Sequence, residues 1–357
     1  MKTIGCVKEV LQGEHRVAVT PKSVKQFCEQ GCAVIVEQGA GKDAGWEDAA
    51  YVAAGATIGN PYDAQIVVGI NHPSMQEKQH QLEMLKPGKA WVSLFDDSDR
   101  QANDIMRRRK LEVYALNRVP RISRSQSMDV LSSQSNIAGY KAVIIAALHT
   151  QKLFPLMMTA AGTIKPARVV ILGAGVAGLQ ALATAKRLGA VVEVSDVRPE
   201  VKEQVESLGG TFIEVPFEEK ASDTQGYAKT ASPEYLKRQA AEVSRRLSQC
   251  DVAITTALVG GKKAPVLITE AMVQQMKQGA IIVDMAAVQG GNCACTVPGK
   301  VVGKHGVTII GHTNIPSLCA ADASAMFAQN VFKFVTLLLA EKEDEILAAT
   351  RIGEVKA

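Results

Sequence analysis

Aromatic side chains, excess charge of one sign and paired cysteines are all scarce in this sequence. Phe, Tyr and Trp make up only 4% of 357 residues, too few to furnish a base- or sugar-stacking surface. The core therefore has to be built from Val, Ile, Leu and Ala, a composition suited to parallel sheets buried on both faces. Forty Lys and Arg stand against 36 Asp and Glu, a formal charge of +4, which argues against a dedicated nucleic-acid binder and its basic face. The longest apolar stretches, near residues 142–148 and 335–340, fall short of the roughly 18–20 residues that span a bilayer. The opening MKTIGCVKEV reads as a strand without a cleavage site, so a soluble chain is expected. Seven cysteines at irregular spacing contain no C-x-x-C, and the C-x-C of Cys293 and Cys295 has no second pair. Reduced thiols in a cytoplasmic compartment are expected, with no metal site.

What the sequence does contain is a nearly continuous alternation of strand-like and helical segments, the α/β signature. Strands are expected near 3–7, 33–37, 65–69, 90–94 and 112–115, with helices near 21–30, 47–53, 75–85 and 99–110. Thr20-Pro21 marks a helix start, and Arg107-Arg108-Arg109-Lys110 complements a helix C-terminus. The pattern breaks over 117–135, then resumes with an apolar helix near 136–150. A second series places strands near 168–172, 191–195, 211–215, 251–256, 280–284 and 307–310. Its helices are expected near 176–188, 200–208, 233–248 and 269–277, with a long polar insertion at 217–232. Insertions of that length are usually functional or mobile. A final apolar helix near 320–340 has no sheet of its own left to cover. The expected architecture is α/β, two Rossmann-like doubly wound parallel-sheet domains: 1–130 joined by the returning 320–357, and 131–319.

The clearest chemical signal is VVILGAGVAG, residues 169–178, a G-x-G-x-x-G between an apolar strand and an Ala/Leu-rich helix. Gly173 makes the tight turn, Gly175 lets a pyrophosphate approach the backbone, and Gly178 lets helix and strand pack closely. Val176 and Ala177 open the helix whose N-terminus favours phosphate charge. Asp196, at the end of the next strand and followed by Val197 and Arg198, can accept hydrogen bonds from the adenosine ribose. Its charge disfavours a 2′-phosphate, so NAD(H) is expected over NADP(H), although an arginine at 198 can accommodate that phosphate. Ligands in such sheets lie outside the carboxyl ends of the strands. Thr255-Thr256-Ala257-Leu258 is therefore either a wall beside the nicotinamide or an ordinary strand end.

The polar segment Arg121-Ile122-Ser123-Arg124-Ser125-Gln126-Ser127-Met128-Asp129-Val130-Leu131-Ser132 is well stocked for an amide-bearing ring. Gln126 and Ser132 suit a carboxamide and ribose, and Asp129 can orient Arg121 by a charge-assisted pair. By composition alone it reads first as a polar linker and only second as a site.

VPRISRSQSMDVLSSQSNIAGY, AAGTIKPARVVILGAGVAGLQA, DVRPEVKEQVESLGG, GYAK, ITTAL, PVLIT and GGNC together resemble the NAD(H)-binding part of proton-translocating nicotinamide nucleotide transhydrogenase. The resemblance implies that Arg121, Gln126, Asp129 and Ser132 surround the nicotinamide and its ribose. It also implies a mobile loop closing over the nucleotide through Gly226-Tyr227-Ala228, with further nucleotide contacts at Gln239 and Leu258. Alanine dehydrogenase is a related family sharing the pattern seen here as Lys8-Glu9 and Glu14-His15-Arg16-Val17-Ala18-Val19-Thr20-Pro21. In that family a Lys-Glu-Pro segment follows the third strand, where this chain has Asn71-His72-Pro73. A histidine acid/base follows the next strand, where this chain has Leu94-Phe95-Asp96. Oxidising an amino acid needs a proton acceptor, whereas hydride transfer between nicotinamide rings needs only proximity, orientation and water exclusion.

The resemblance further implies NADP(H) on a partner subunit and a separate membrane-spanning subunit. This chain would be a homodimer, peripheral on the inner face of the cell membrane, and inactive in transhydrogenation by itself.

Overall fold

The computed structural model describes residues 2–76, 78–96, 98–214, 233–258, 263–340 and 343–352. Gly226 and Tyr227 lie outside the described residues. In chain order the elements begin with β1 (Thr3–Cys6), α1 (Pro21–Glu29), β2 (Ala33–Val36), α2 (Asp48–Ala53), β3 (Thr57–Ile58) and β4 (Ile66–Val68). There follow β5 (Met75–Gln76), β6 (Gln79–His80), β7 (Ala90–Ser93), α3 (Arg100–Arg109), β8 (Glu112–Ala115) and α4 (Val130–His149). Next come β9 (Met157–Thr159), β10 (Gly162–Ile164), β11 (Arg168–Leu172), α5 (Val176–Arg187), β12 (Val191–Ser195), α6 (Lys202–Ser207) and β13 (Thr211–Phe212). After these lie α7 (Pro233–Leu247), β14 (Val252–Thr255), α8 (Glu270–Gln275), β15 (Ile281–Asp284), β16 (Val301–Lys304) and β17 (Val307–Ile310). The chain closes with α9 (Ala320–Ala340), α10 (Glu345–Thr350) and β18 (Arg351–Ile352).

The chain divides into two units, Met1–Gln134 with Pro316–Ala357, and Ser135–Ile315. Each holds a seven-stranded sheet, in the orders β18-β8-β7-β4-β1-β2-β3 and β13-β12-β11-β14-β15-β17-β16. Pairing is parallel except at the edge strands β18 and β16, so both units are doubly wound and Rossmann-like, as the sequence predicts. Alternation explains how so few aromatics suffice. In the second unit Val169 and Ile171 enter one core layer while Val170 and Leu172 enter the other. The first unit behaves alike, with Ile66 and Val68 on one face and Val67 on the other. Both sheet faces are covered, so consecutive β-branched residues can all be buried.

Several expectations need correction. The helix read over residues 75–85 is instead the small hairpin β5–β6 and a 3₁₀ turn, Gln81–Met84. Lys78 takes a left-handed φ of 68°, the His80 ring accepts the Leu82 N–H, and the Gln81 carboxamide oxygen accepts the Ser74 N–H. These side-chain bonds compete successfully with helix formation. The 117–135 break contains 3₁₀ turns at Leu116–Arg118 and Ser123–Met128, and α4 starts at Val130, six residues earlier than periodicity suggests. The hairpin β9–β10 and the edge strand β16 were not expected. Finally, Pro316–Ala340 is long and apolar enough, by composition, to cross a membrane. Counting uninterrupted apolar runs misses it because small and polar residues break the pattern. In the structure Phe327, Val331, Phe334 and Val335 of α9 are fully buried in the first unit's core. The Phe332 ring also meets Phe27 edge-on at 5.0 Å.

At the carboxyl ends of β1 and β4, where the first unit's strand order reverses, a buried polar network closes the sheet. Arg16 meets Glu14 with Nε 2.8 Å from Oε1 and Nη2 2.6 Å from Oε2, and its Nη1 donates to Gln134 Oε1 at 2.9 Å. Asn71 Nδ2 donates to both Glu14 and Glu9, and Glu9 Oε1 accepts the Ile70 N–H at 2.6 Å. Burial pushes the Glu9 carboxyl up. Burial also works to raise Glu14, but the hydrogen bonds and charge of Arg16, helped by Asn71, hold it at about 2. All seven cysteines are free thiols, and burial pushes Cys6 and Cys250 up to about 12, which leaves them inert.

Glu14 is depressed in the folded state, so its contribution is complete above the unfolded carboxyl range and disappears as pH falls from about 4.5 toward 2. Linkage makes that contribution about 3 kcal/mol. Glu14→Gln should destabilise the first unit by this amount at pH 7, and the gap to wild type should close on acidification. Both tryptophans, Trp46 and Trp91, lie in the first unit, so urea unfolding followed by tryptophan fluorescence reads the effect.

Candidate functional site

The second unit's strand order reverses between β11 and β14, and the carboxyl ends of these strands form a crevice by topology. The glycine turn between β11 and α5 is built by close backbone approach. Gly173 takes a φ of 108°, and a Cβ there would lie 2.5 Å from Thr256 Oγ1. A Cβ on Gly178 would lie 1.9 Å from the Gly173 carbonyl oxygen, so only glycine lets α5 start where it does. The turn is backed by α4, where a Cβ on Gly139 would come within 2.2 Å of the Ala177 carbonyl oxygen. That glycine in mid-helix gave no motif signal, and its role appears only in three dimensions. Gly175 differs from all three. Its backbone is extended and, among the described residues, a Cβ there would meet no neighbouring atom within 4 Å. The packing of the described residues does not require glycine at this position. The open space borders the N-terminus of α5, whose first amides have no intrahelical acceptor. Val176 is exposed and Ala177 half-buried beside it.

Asp196 lies at the end of β12, 9% exposed. Its Oδ2 accepts the Ala174 N–H at 2.7 Å and an Arg198 Nη2 bond at 3.1 Å. Its Oδ1 accepts from the Arg198 N–H and Nε. Burial alone would raise this carboxyl, but Arg198 and the Ala174 amide prevail and hold it below the usual range. The guanidinium of Arg198 is thus committed to Asp196. Gln239 is buried and donates from Nε2 to the Asp196 carbonyl oxygen at 3.0 Å, so it holds the strand end. Val197 is exposed between them.

The turn after β14 is held from two sides. Thr256 Oγ1 donates to the Gly173 carbonyl oxygen at 3.1 Å, and Leu258, 49% exposed, donates its N–H to the Thr256 carbonyl. Two residues absent from the sequence-based assignment complete this edge. Asp284, fully buried, accepts from Thr255 Oγ1 at 2.9 Å, Thr296 Oγ1 at 2.5 Å and the amides of Ala286 and Cys293 at 3.0 Å. Asn292, also fully buried, bonds both peptide groups of Ala257. The GGNC motif was a signal for this region, although spacing gave it no role.

In the first unit, the polar segment is anchored rather than loose. Ser125 donates to the carbonyls of Pro120 and Ile122, Arg124 pairs with Asp344 at 2.7 Å, and Asn330 Nδ2 donates to the Ser127 carbonyl at 2.8 Å. Arg121 and Gln126 are exposed on it. The expected pairing of Asp129 with Arg121 is corrected. The Asp129 carboxylate instead accepts the Ser132 N–H at 2.9 Å and Oγ–H at 2.6 Å, capping the first turn of α4. Asp129 and Ser132 are therefore brought together, while Arg121 is exposed.

His72, His80 and Asp99 form the one cluster with metal-ligand proximity among the described residues. The ring Nδ1 atoms of His72 and His80 accept the Asp96 and Leu82 N–H groups. In the neutral rings the protons therefore sit on Nε2, and His72 donates to Asp99 at 2.8 Å. Nε2 ligation would need these backbone bonds broken, so the cluster is a hydrogen-bonded one. Burial pulls the His80 imidazole down.

A paired set of doubly wound sheets, with a glycine-lined turn and an acidic residue at the next strand's end, defines the class of nucleotide-binding α/β proteins. The chain belongs to the alanine dehydrogenase/PNT family: the N-terminal domain model matches residues 5–138 and the C-terminal domain model residues 142–353. A chain of NAD(P) transhydrogenase subunit alpha from Rhodospirillum rubrum is 49% identical, covering 97% of this chain and 95% of that protein. The crystal structure of transhydrogenase from Sinorhizobium meliloti superposes with a TM-score of 0.86 at 39% identity, covering 98% of this chain and 96% of that one. Alanine dehydrogenase of Bacillus subtilis is a more distant relative, 29% identical over 88% of this chain and 79% of its own.

Two glycines separate packing from open space. Gly139→Ala drives a methyl into the Ala177 carbonyl and should destabilise the second unit by about 1–3 kcal/mol, less the ~1 kcal/mol that alanine returns as a helix former. Gly175→Ala should change stability by no more than about 0.5 kcal/mol. Thermal unfolding by circular dichroism measures both.

Proposed function

We propose that this chain is the NAD(H)-binding subunit of a proton-translocating transhydrogenase. Hydride passes directly between NADH held here and NADP⁺ held on a partner subunit, coupled to proton translocation in a membrane-spanning subunit. The observation that carries this reading is Gly175, a glycine that the packing of the described residues does not need, beside first-turn amides of α5 that lack an intrahelical acceptor and one strand from Asp196. A pyrophosphate suits that space and those donors. Gly173, Gly175, Val176, Ala177 and Gly178 would hold the phosphates, and Asp196, Val197 and Arg198 the adenosine ribose. Gln239 supports them through the Asp196 carbonyl. Arg121, Gln126, Asp129 and Ser132 would hold the nicotinamide carboxamide and ribose, with Leu258 against the ring; Gly226 and Tyr227, which lie outside the described residues, are assigned as further nucleotide contacts.

The dihydronicotinamide supplies the hydride, and the chain's own groups supply orientation and exclusion of water. Nothing in that role demands a proton acceptor. Where alanine dehydrogenase has its Lys-Glu-Pro segment, this chain's Asn71 bonds Glu9 and Glu14 and its His72 bonds Asp99. Asp196 supports NAD(H) over NADP(H), because Arg198 is already neutralised by it and a 2′-phosphate would meet its charge. The same reading makes the chain a homodimer that reaches the inner face of the membrane through its partners. Exposed Met157, Met158 and Ile164 on the β9–β10 hairpin support self-association.

Quenching of intrinsic fluorescence should show NADH binding well ahead of NADPH. Asp196→Asn releases Arg198 and should erode that preference by roughly tenfold to a hundredfold, about 1.4–2.8 kcal/mol. With the partner NADP(H)-binding subunit added, deuterium placed on the transferred position of NADH should appear in NADPH without loss to water. Loss to water, or no transfer above either component alone, would overturn the assignment.

A further inference from the structure

The turn at the end of β14 owes its shape to a residue from a different strand's loop. Leu258 donates its N–H to the Thr256 carbonyl at 3.0 Å, a three-residue turn centred on Ala257. In so tight a turn the central residue has no partner of its own for its N–H and C=O, and a buried unpaired peptide group is costly. Asn292 supplies both partners. Its Oδ1 accepts the Ala257 N–H at 3.1 Å, and its Nδ2 donates to the Ala257 carbonyl at 3.0 Å. The second Nδ2 hydrogen goes to the Pro265 carbonyl at 2.8 Å, which brings Pro265 to the same carboxamide. The Asn292 carbonyl in turn accepts the amides of Leu267 and Ile268 at 2.7 and 3.0 Å.

Asn292 is itself fixed from β15. The next residue, Cys293, gives its N–H to Asp284 Oδ2. Gly291, with φ 90°, passes so close that a Cβ would lie 2.6 Å from that oxygen. Thr296 donates to it as well. The buried Asp284 carboxylate therefore sets the path of residues 291–296, and that path delivers the Asn292 carboxamide to Ala257.

We propose that Asn292 is a positioning residue for the nicotinamide half of the nucleotide site: it holds the turn that presents Leu258. The proposal rests on the nucleotide-binding reading above. It separates the two halves of the site. The adenosine half, built on Gly173, Gly175 and Asp196, does not use Asn292, so disturbing Asn292 should be felt only by a ligand that carries the nicotinamide.

Asn292→Asp is the sharpest test, because it keeps the shape but turns a carboxylate oxygen toward the Ala257 and Pro265 carbonyls. Asn292→Ala removes the grip without adding charge, and serves if the first variant does not fold. In the full chain, NADH affinity should fall by about tenfold or more, as expected for breaking a buried hydrogen-bonded clamp. Affinity for 5′-AMP, which occupies only the adenosine half, should stay within about twofold of wild type. Amide hydrogen exchange at Ala257 should become fast in either variant. A folded variant that binds NADH like wild type, or loses AMP as severely as NADH, overturns the proposal. Wild type that binds neither NADH nor AMP overturns the nucleotide reading instead, and exchange at Ala257 then still reports on the clamp.

Discussion

The second unit depends on how closely α5 approaches the strand that precedes it. The Gly173 carbonyl and the Cα of Gly178 stand where no side chain fits, and the first turn of α5 abuts Gly139 of α4 in the same way. Close packing of this kind tolerates no added methyl group. Two helices and one strand therefore have their positions fixed by three missing side chains. The consequence for function is geometric. With α5 held this near, its first amides open onto the space at Gly175 and lie beside Asp196, which itself takes the Ala174 N–H. The turn and the acidic residue are one rigid piece.

A second constraint is that strand ends leave polar groups that must be paired. At three places on the second unit's rim such groups are satisfied by a side chain from a neighbouring element. Gln239 of α7 takes the Asp196 carbonyl, Thr256 the Gly173 carbonyl, and Asn292 both peptide groups of Ala257. Asp284 gathers four neutral donors, the arrangement that lets a carboxyl group be buried without a cation. These contacts cross between elements, so each strand end is held by a side chain from outside its own loop.

What was legible in the sequence follows from how local the cause is. The glycine turn, the strand before it and Asp196 lie within 28 residues, and their spacing alone predicts their arrangement. The buried strands were equally plain, since a run such as Val169 to Leu172 is apolar at every position. Gly139 and Asn292 could not be read this way. Their partners, Ala177 and Ala257, are 38 and 35 residues distant and are met only through the fold. The 75–85 segment misled because its helical spacing of apolar residues is real, while His80 and Gln81 spend their side chains on backbone amides. Asp129 misled for the opposite reason. Its charge suggested Arg121, but a carboxylate just before a helix finds the first-turn amide of Ser132 nearer to hand.

The two units share one plan, and the difference between them is physical. Each has a reversal of strand order, at β1 and β4 in the first and at β11 and β14 in the second, where α/β sheets hold their ligands. In the first unit that place is filled by the chain itself. The Arg16 guanidinium is held by the Glu14 carboxylate in a bidentate pair with both partners buried, and Asn71 and Gln134 take up neighbouring positions. An incoming carboxylate would have to break the buried Arg16–Glu14 pair, which costs several kcal/mol. In the second unit the corresponding place is bordered by Gly175, around whose missing Cβ no atom of the described residues lies within 4 Å, chain neighbours aside. One fold, used twice, therefore places a buried ion pair at one reversal of strand order and a glycine beside first-turn helix amides at the other.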